Sequence, residues 1–254
     1  MKDYSSFSNC PIFTFSHLMF RFKQFTVHQD KTAMKVCTDA CLFGAWIADK
    51  LQTKEIIPEH ILDIGTGTGL LSLMLAQKTN ADIDAVEINP AAFDQASGNI
   101  AASAWKEKIH AHHISIIDFF PGKKYDLIVC NPPFYENHLS SPDADRNMAM
   151  HASLLPFTGL IRFIKNNLAP SGNAALLLPF SQIKYFENII KETGLFINEN
   201  LNIAHSPAHP FFRSILFISG NDRGLNETAM SIKDNTGAYS GAFTDLLKDY
   251  YLHF

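Results

Sequence analysis

The chain has 254 residues, 46% of them hydrophobic and 18% charged, with 21 Phe against 2 Trp and a formal charge of −4. That length holds one sizeable core, and the composition excludes a disordered, fibrous or collagen-like chain. No apolar run follows Lys2 and Asp3 and no stretch approaches the roughly 18 apolar residues of a membrane span, so the expectation is a cytoplasmic protein without membrane association.

In chain order, Ile12–His28 is Phe-rich and partly alternating. Phe20, Phe22 and Thr26 fall on one side and Arg21, Lys23 and Phe25 on the other, which predicts strand. Arg21, Lys23, Lys31 and Lys35 stand against one acid, Asp30; a phosphate-binding patch and a solvated strand edge both fit this run. Thr38 and Asp39 before apolar Ala40–Ala48 predict a capped helix. From Ile61 the pattern becomes strand, turn, helix, repeated. Strands are expected over Ile61–Ile64, Ile83–Ile88, Ile109–Ile117, Tyr125–Cys130, Ala174–Leu178, Phe196–Ala204 and Arg213–Ser219. Helices are expected over Leu70–Gln77, Ala91–Ala104 behind Pro90, Leu155–Asn167 and Gln182–Thr193. This alternation predicts an α/β fold, Rossmann-like, with a doubly wound, mostly parallel seven-stranded sheet. One domain over 1–254 is expected, with a strand and helix extension over 1–55, a core over 56–220 and a C-terminal tail over 221–254.

Asp63-Ile-Gly65-Thr-Gly67-Thr-Gly69 lies between the first strand of that sheet and its helix. Glycines there let the backbone turn sharply and approach a ligand without Cβ interference. Glu87, 24 residues after Asp63, ends the second strand, where an acid accepts hydrogen bonds from ribose hydroxyls. Both features suit a dinucleotide or S-adenosylmethionine. Asp63 tips the balance to the latter, because a carboxylate repels a pyrophosphate yet helps to hold the ammonium of an amino-acid tail. Asp118, read as ending the third strand, is either an acceptor for the cofactor's adenine amine or a solvated loop acid.

Asn131-Pro132-Pro133-Phe134 follows the strand Tyr125–Cys130, beyond whose carboxyl end ligands bind in such a sheet. The prolines stiffen the loop and leave its carbonyls free. The lone pair of an adenine or amide NH2 is delocalised, so the nitrogen is a poor nucleophile. Two acceptors, the Asn131 side-chain oxygen and the Pro132 carbonyl, suffice to hold its two hydrogens and aim its lone pair at a sulfonium methyl. This is catalysis by positioning and fixed dipoles. Phe134 offers a flat face for base stacking.

Asp63–Gly69, Glu87, Asp118 and Asn131–Phe134, in this order, resemble the class I methyltransferases with an N-P-P-[YF] motif that act on amino groups. Phe22-Lys-Gln-Phe-Thr-Val27, Lys35-Val-Cys-Thr-Asp39 and Gly44-Ala-Trp46 narrow the resemblance. They are similar to the bacterial tRNA1(Val) (adenine-N6)-methyltransferases, which modify adenosine 37 in the anticodon loop of the valine tRNA. Ser141–Arg146 with His151, and Leu246–Leu252, extend the likeness nearly end to end. The resemblance implies S-adenosylmethionine as donor, a valine tRNA as partner, a sheet closed by an antiparallel hairpin, and Lys35, Thr38 and Asp39 bordering the cofactor pocket. Asn131 borders it as well, and the protein is expected to be a monomer. Phe at position 134 replaces the commoner Tyr, which keeps the stacking face and drops a hydroxyl.

Two rivals stand beside this reading. Release-factor glutamine methyltransferases orient an amide with a similar loop, but carry a separate helical N-terminal domain that the 60 residues before Ile61 do not resemble. A non-catalytic, cofactor-binding RNA-interaction module has no need of two free acceptors. No metal site is expected: Cys10, Cys37, Cys41 and Cys130 lack zinc spacing and read as free thiols, and His110, His112 and His113 have no completing ligand. His205, Pro207, His209 and Pro210 form a stiff loop that either touches RNA or turns the chain.

Overall fold

A computed structural model of the protein describes residues 18–32, 34–132 and 157–254. Near-continuous apolar runs, which mark strands buried on both faces, form the centre of its sheet. These are β3 (His60–Ile64), β6 (Tyr125–Cys130) and β7 (Leu168–Pro179). With β4 (Asp82–Glu87) and β5 (Ile109–His113) on one side, and β8 (Phe196–Ala204), β9 (Phe211–Ser219) and β10 (Asn226–Ser231) on the other, they give the order β10-β8-β9-β7-β6-β3-β4-β5. Only β9 is reversed among these strands; it pairs antiparallel with β7 and β8. The α/β class, the mostly parallel sheet and its closing antiparallel hairpin are as expected. The strand count is corrected from seven to eight, because Asn226–Ser231 adds to β8 in parallel.

The chain steps outward from β3 through β4 to β5, then crosses back to β6 on the other side of β3. Ligands bind in the crevice outside the carboxyl ends of strands at such a reversal. Helices cover both faces. α1 (Thr38–Gln52), α2 (Leu70–Ala76) and α3 (Pro90–Ala101) enclose one core cluster that includes Ile61, Ala85, Leu127 and Phe217. α4 (Phe157–Asn167) and α5 (Ile183–Glu192) enclose the other, around Leu62, Ile128, Leu176 and Ile218. α5 buries Ile183, Phe186, Ile189 and Ile190, a helix-period stripe.

The N-terminal alternation folds differently from its reading. β1 (Met19–Arg21) and β2 (Thr26–His28) make a separate antiparallel hairpin. Its turn, closed by Phe22 N–H donating to Phe25 O at 2.8 Å, breaks the alternation, so Phe25 buries with Phe20, Phe22 and Val27. Phe22 and Phe25 stack with centroids 4.5 Å apart. The tail over 221–254 also carries structure: β10 and α6 (Gly241–Leu247), capped by Ser240 Oγ accepting from Phe243 N–H at 3.2 Å. Tyr250 and Tyr251 then bury against the hairpin, where Lys23 N–H donates to Tyr250 O at 2.8 Å and the Phe20 and Phe22 rings lie 5.8 and 6.1 Å from that of Tyr251.

Two further expectations are corrected. α1 starts one residue after Cys37, its N-cap, which makes no side-chain capping bond; Thr38 and Asp39 lie inside the first turn. The strand expected to reach Ile117 stops at His113. Asp118 therefore does not end a strand; it is exposed in a turn closed by its N–H to Ser115 O at 3.0 Å.

Candidate active site

Strand register assembles the site. Ile64 pairs with Val86 on β4 and with Cys130 on β6, so the next residues, Gly65, Glu87 and Asn131, form one row across the carboxyl edge at the reversal. Adjacent strands lie about 4.8 Å apart, which brings the glycine turn, the acid and the first residue of the N-P-P-F loop together. Asn131 and Pro132 are half-buried there. Pro133 and Phe134 lie outside the described residues.

Gly65, Gly67 and Gly69 all have left-handed φ (69°, 60° and 81°), which L side chains rarely adopt. A Cβ added at Gly65 would meet nothing within 4 Å, so the turn presents open backbone to the crevice. Gly65 and Thr66 N–H both donate to Val86 O (2.8 and 3.0 Å), which folds the turn back over β4. Glu87 is 8% exposed; its Oε2 accepts from Gly67 N–H and its Oε1 from Asn89 N–H, both at 2.9 Å. A carboxylate has about four lone-pair sites, so each oxygen retains capacity for a ribose hydroxyl.

Asp63 is deeper than its place beside the turn suggested: it is 0% exposed. Its Oδ2 accepts from Thr66 Oγ (2.6 Å), Ser72 Oγ (2.7 Å) and Ser72 N–H (3.2 Å) and so braces both ends of the turn. Its Oδ1 is buried without a hydrogen-bond partner among the described residues. Burial pushes the Asp63 carboxyl up to about 6 against the lowering effect of the Thr66 and Ser72 bonds, and Glu87 adds to the rise. Burial, with Asp63 and Glu87 close by, also keeps the Cys130 thiol protonated. Two carboxylates, one of them with an orphaned oxygen, therefore lie close together. They suit a cationic cofactor with an ammonium group and oppose an anionic pyrophosphate.

Since the carboxyl of Asp63 titrates higher in the folded chain than its ordinary 3.8, the native state binds the extra proton between pH 4 and about 6. Its contribution to stability is full below that window and is lost as pH rises through it. Without cofactor, the stability of the parent relative to Asp63→Asn is expected to fall by about 2–3 kcal/mol from pH 4 to pH 6.5 and to stay level above. Urea midpoints across that range test this; a pH-independent difference would remove the buried carboxyl as its source.

The other expected site residues divide. Thr38 and Asp39 open α1 at the same edge of the sheet, where Asp39 Oδ2 accepts from Arg213 Nε at 2.9 Å at the start of β9. Lys35 is exposed and its ammonium donates to Gln29 O. Asp118, exposed five positions beyond the last residue of β5, is not brought into the row. Of the histidines, His112 Nε2 meets Asp84 Oδ1 at 2.7 Å and His113 stacks on Phe93 with centroids 5.1 Å apart. Among the described residues no group of three His, Cys, Asp or Glu could hold a metal.

Sequence reading missed Thr66, Ser72, Gln95 and Asn99. The last two occupy the buried stripe Ala92, Gln95, Ala96, Asn99, Ile100 of α3. Amides at core spacing must find partners, which was the available signal.

Residues 44–191 match the Methyltransferase small domain family. The tRNA1(Val) (adenine(37)-N6)-methyltransferase of Cytophaga hutchinsonii is 40% identical over 242 residues, covering 94% of this chain and 99% of the relative. The enzyme of the same name from Parabacteroides distasonis is 39% identical over 236 residues, 92% of this chain and 97% of the relative. Among solved structures, an Agrobacterium tumefaciens protein described as a predicted O-methyltransferase superposes with a TM-score of 0.61 at 17% identity, covering 83% of this chain and 96% of that one. The Thermus thermophilus 16S rRNA N2 G1207 methyltransferase, solved with AdoMet and guanosine, gives 0.55 at 20% identity, covering 80% of this chain and 50% of that one. At those identities the structural likeness speaks for the fold alone. With its domain match and its near-full-length relatives, the chain belongs to the tRNA1(Val) (adenine(37)-N6)-methyltransferase family.

Proposed function

We propose that the protein transfers a methyl group from S-adenosylmethionine to N6 of adenosine 37 in the anticodon loop of a valine tRNA, acting as a single-domain cytoplasmic monomer. The observation that carries this reading is the row Gly65, Glu87, Asn131, which sets the glycine turn and a buried acid beside the start of the N-P-P-F loop. S-adenosylmethionine, when bound, supplies an electrophilic methyl on a sulfonium. Glu87 would hold its ribose and the buried Asp63 Oδ1 would face its ammonium, with Lys35 and Thr38 bordering the pocket. Asn131 and the Pro132 carbonyl would take the two amine hydrogens of the adenine, and Phe134 would stack on its ring.

Two more aromatic rings at the same edge support a nucleobase substrate. Phe180 and Phe211 are 38% and 37% exposed, with centroids 5.2 Å apart. Base–aromatic stacking is worth about 1–3 kcal/mol. The family and the Arg21–Lys35 cluster favour RNA over protein. Among the described residues no helix is long and apolar enough to cross a membrane.

The test offers labelled S-adenosylmethionine with unmodified tRNA and, separately, with a release factor. N6-methyladenosine at position 37 of the valine tRNA, at a rate that falls with added salt, is the expected outcome. Label in the release factor with none in tRNA would overturn the assignment.

A further inference from the structure

We propose that Asn99 is a positioning residue for the cofactor, binding the strap that starts at His28 to the glycine turn so that both walls of the pocket are set by one buried amide. The proposal rests on the reading that the row around Gly65 and Glu87 is the S-adenosylmethionine site.

Asn99 is 2% exposed and lies on α3, between the N-terminal hairpin and the turn. Its Nδ2 donates to His28 O and to Thr68 O, both at 2.8 Å, and its Oδ1 accepts from His28 N–H at 2.9 Å. Both amide hydrogens are thus used, one for each wall. Towards His28 the side chain behaves as a backbone unit, meeting both main-chain polar groups as a neighbouring strand would. Towards the turn it holds the carbonyl between Gly67 and Gly69, on the side that the bonds to Val86, Glu87 and Asp63 do not reach.

The segment that starts at His28 is held by two further buried amides. One helical turn before Asn99, Gln95 Oε1 accepts from Lys31 N–H at 3.0 Å. Gln29, itself 2% exposed, accepts from Val36 N–H at 2.8 Å through Oε1 and from the Lys35 ammonium through its main-chain carbonyl. Val36, held by Gln29, lies two residues before Thr38, the first residue of α1. A side chain of this kind needs no contact with the ligand to matter, because an ordered strap and an ordered turn are one event, and binding that requires either is coupled to both.

In the parent, amide hydrogen exchange of peptides covering 28–36 and 66–69 is expected to slow together when S-adenosylmethionine is added. In Asn99→Ala, exchange in both segments speeds up, and the Kd for the cofactor by calorimetry rises about tenfold, the usual size of coupling between two sites. At saturating cofactor, kcat for tRNA falls far less than Kd rises. Gln95→Ala, which releases Lys31 while Asn99 still ties His28 to Thr68, speeds exchange at Lys31 and leaves His28 and 66–69 slow. A purely structural Asn99 would lower the melting temperature with Kd unchanged, and that result overturns the proposal. If Asn99→Ala does not fold, the parent decides: cofactor that binds without slowing exchange in 28–36 also overturns it. A parent that binds no S-adenosylmethionine refutes the cofactor reading instead.

Discussion

Asn131→Ala is expected to lower the single-turnover rate of methyl transfer about 100- to 1,000-fold, the usual loss when one preorganised polar group is removed from a reaction centre. Asn131 follows Cys130, which is 2% exposed and fixed on both sides by strand pairing, so its backbone is set by the centre of the sheet. An amide offers an oxygen and an NH2, and the proposed chemistry uses only the oxygen. With that acceptor gone, the amine loses its aim and the developing positive charge loses a fixed dipole. Asn131→Asp keeps an acceptor of nearly the same shape and should retain part of the activity. The expected order is parent, then Asp, with Ala far below, and an unchanged folded fraction in all three. Rates for Ala equal to or above those for Asp would make Asn131 a structural residue.

Glu87→Ala should weaken S-adenosylmethionine binding by about 10- to 100-fold. A hydrogen bond to a charged group is worth about 1.5–3 kcal/mol, and each 1.4 kcal/mol is tenfold in affinity. The substitution removes the proposed ribose acceptor and also the partner of Gly67 N–H, so the turn is expected to loosen as the ligand loses its contact. Glu87→Gln retains one carbonyl oxygen for Gly67 and should fall between parent and Ala. Calorimetric affinities that are equal for all three proteins would dispose of the role.

Much of this architecture was legible because the residues that build it are locally consistent. Tyr125–Cys130 and Phe196–Ala204 fold with the bounds expected of them. β10 was not legible: its burial pattern is almost wholly exposed, it has no apolar period, and its strand state comes from backbone pairing with β8. Ile114, Ile116 and Ile117 misled in the other direction. They prolong an apolar run, yet they fold as a turn in which Ile117 is 59% exposed. At the site, the row Gly65, Glu87, Asn131 followed from the rule that ligands gather at carboxyl ends. The depth of Asp63 did not follow, because a centrally placed strand buries every side chain it can, whichever face it points to. Nor did the tie from Asn99 to His28, which joins residues 71 positions apart and has no local signature.

The seam between the hairpin and Tyr250–Tyr251 bears on the timing of synthesis. Lys23 bonds Lys248 O, 225 positions further along the chain, so the hairpin emerges from the ribosome long before the groups that cover it. At about 5–20 residues per second, Phe20, Phe22 and Phe25 wait roughly 10–45 s for that cover. The sheet and both helical layers are made within the interval, whereas the hairpin gains its last supports only when residues 250 and 251 have been made.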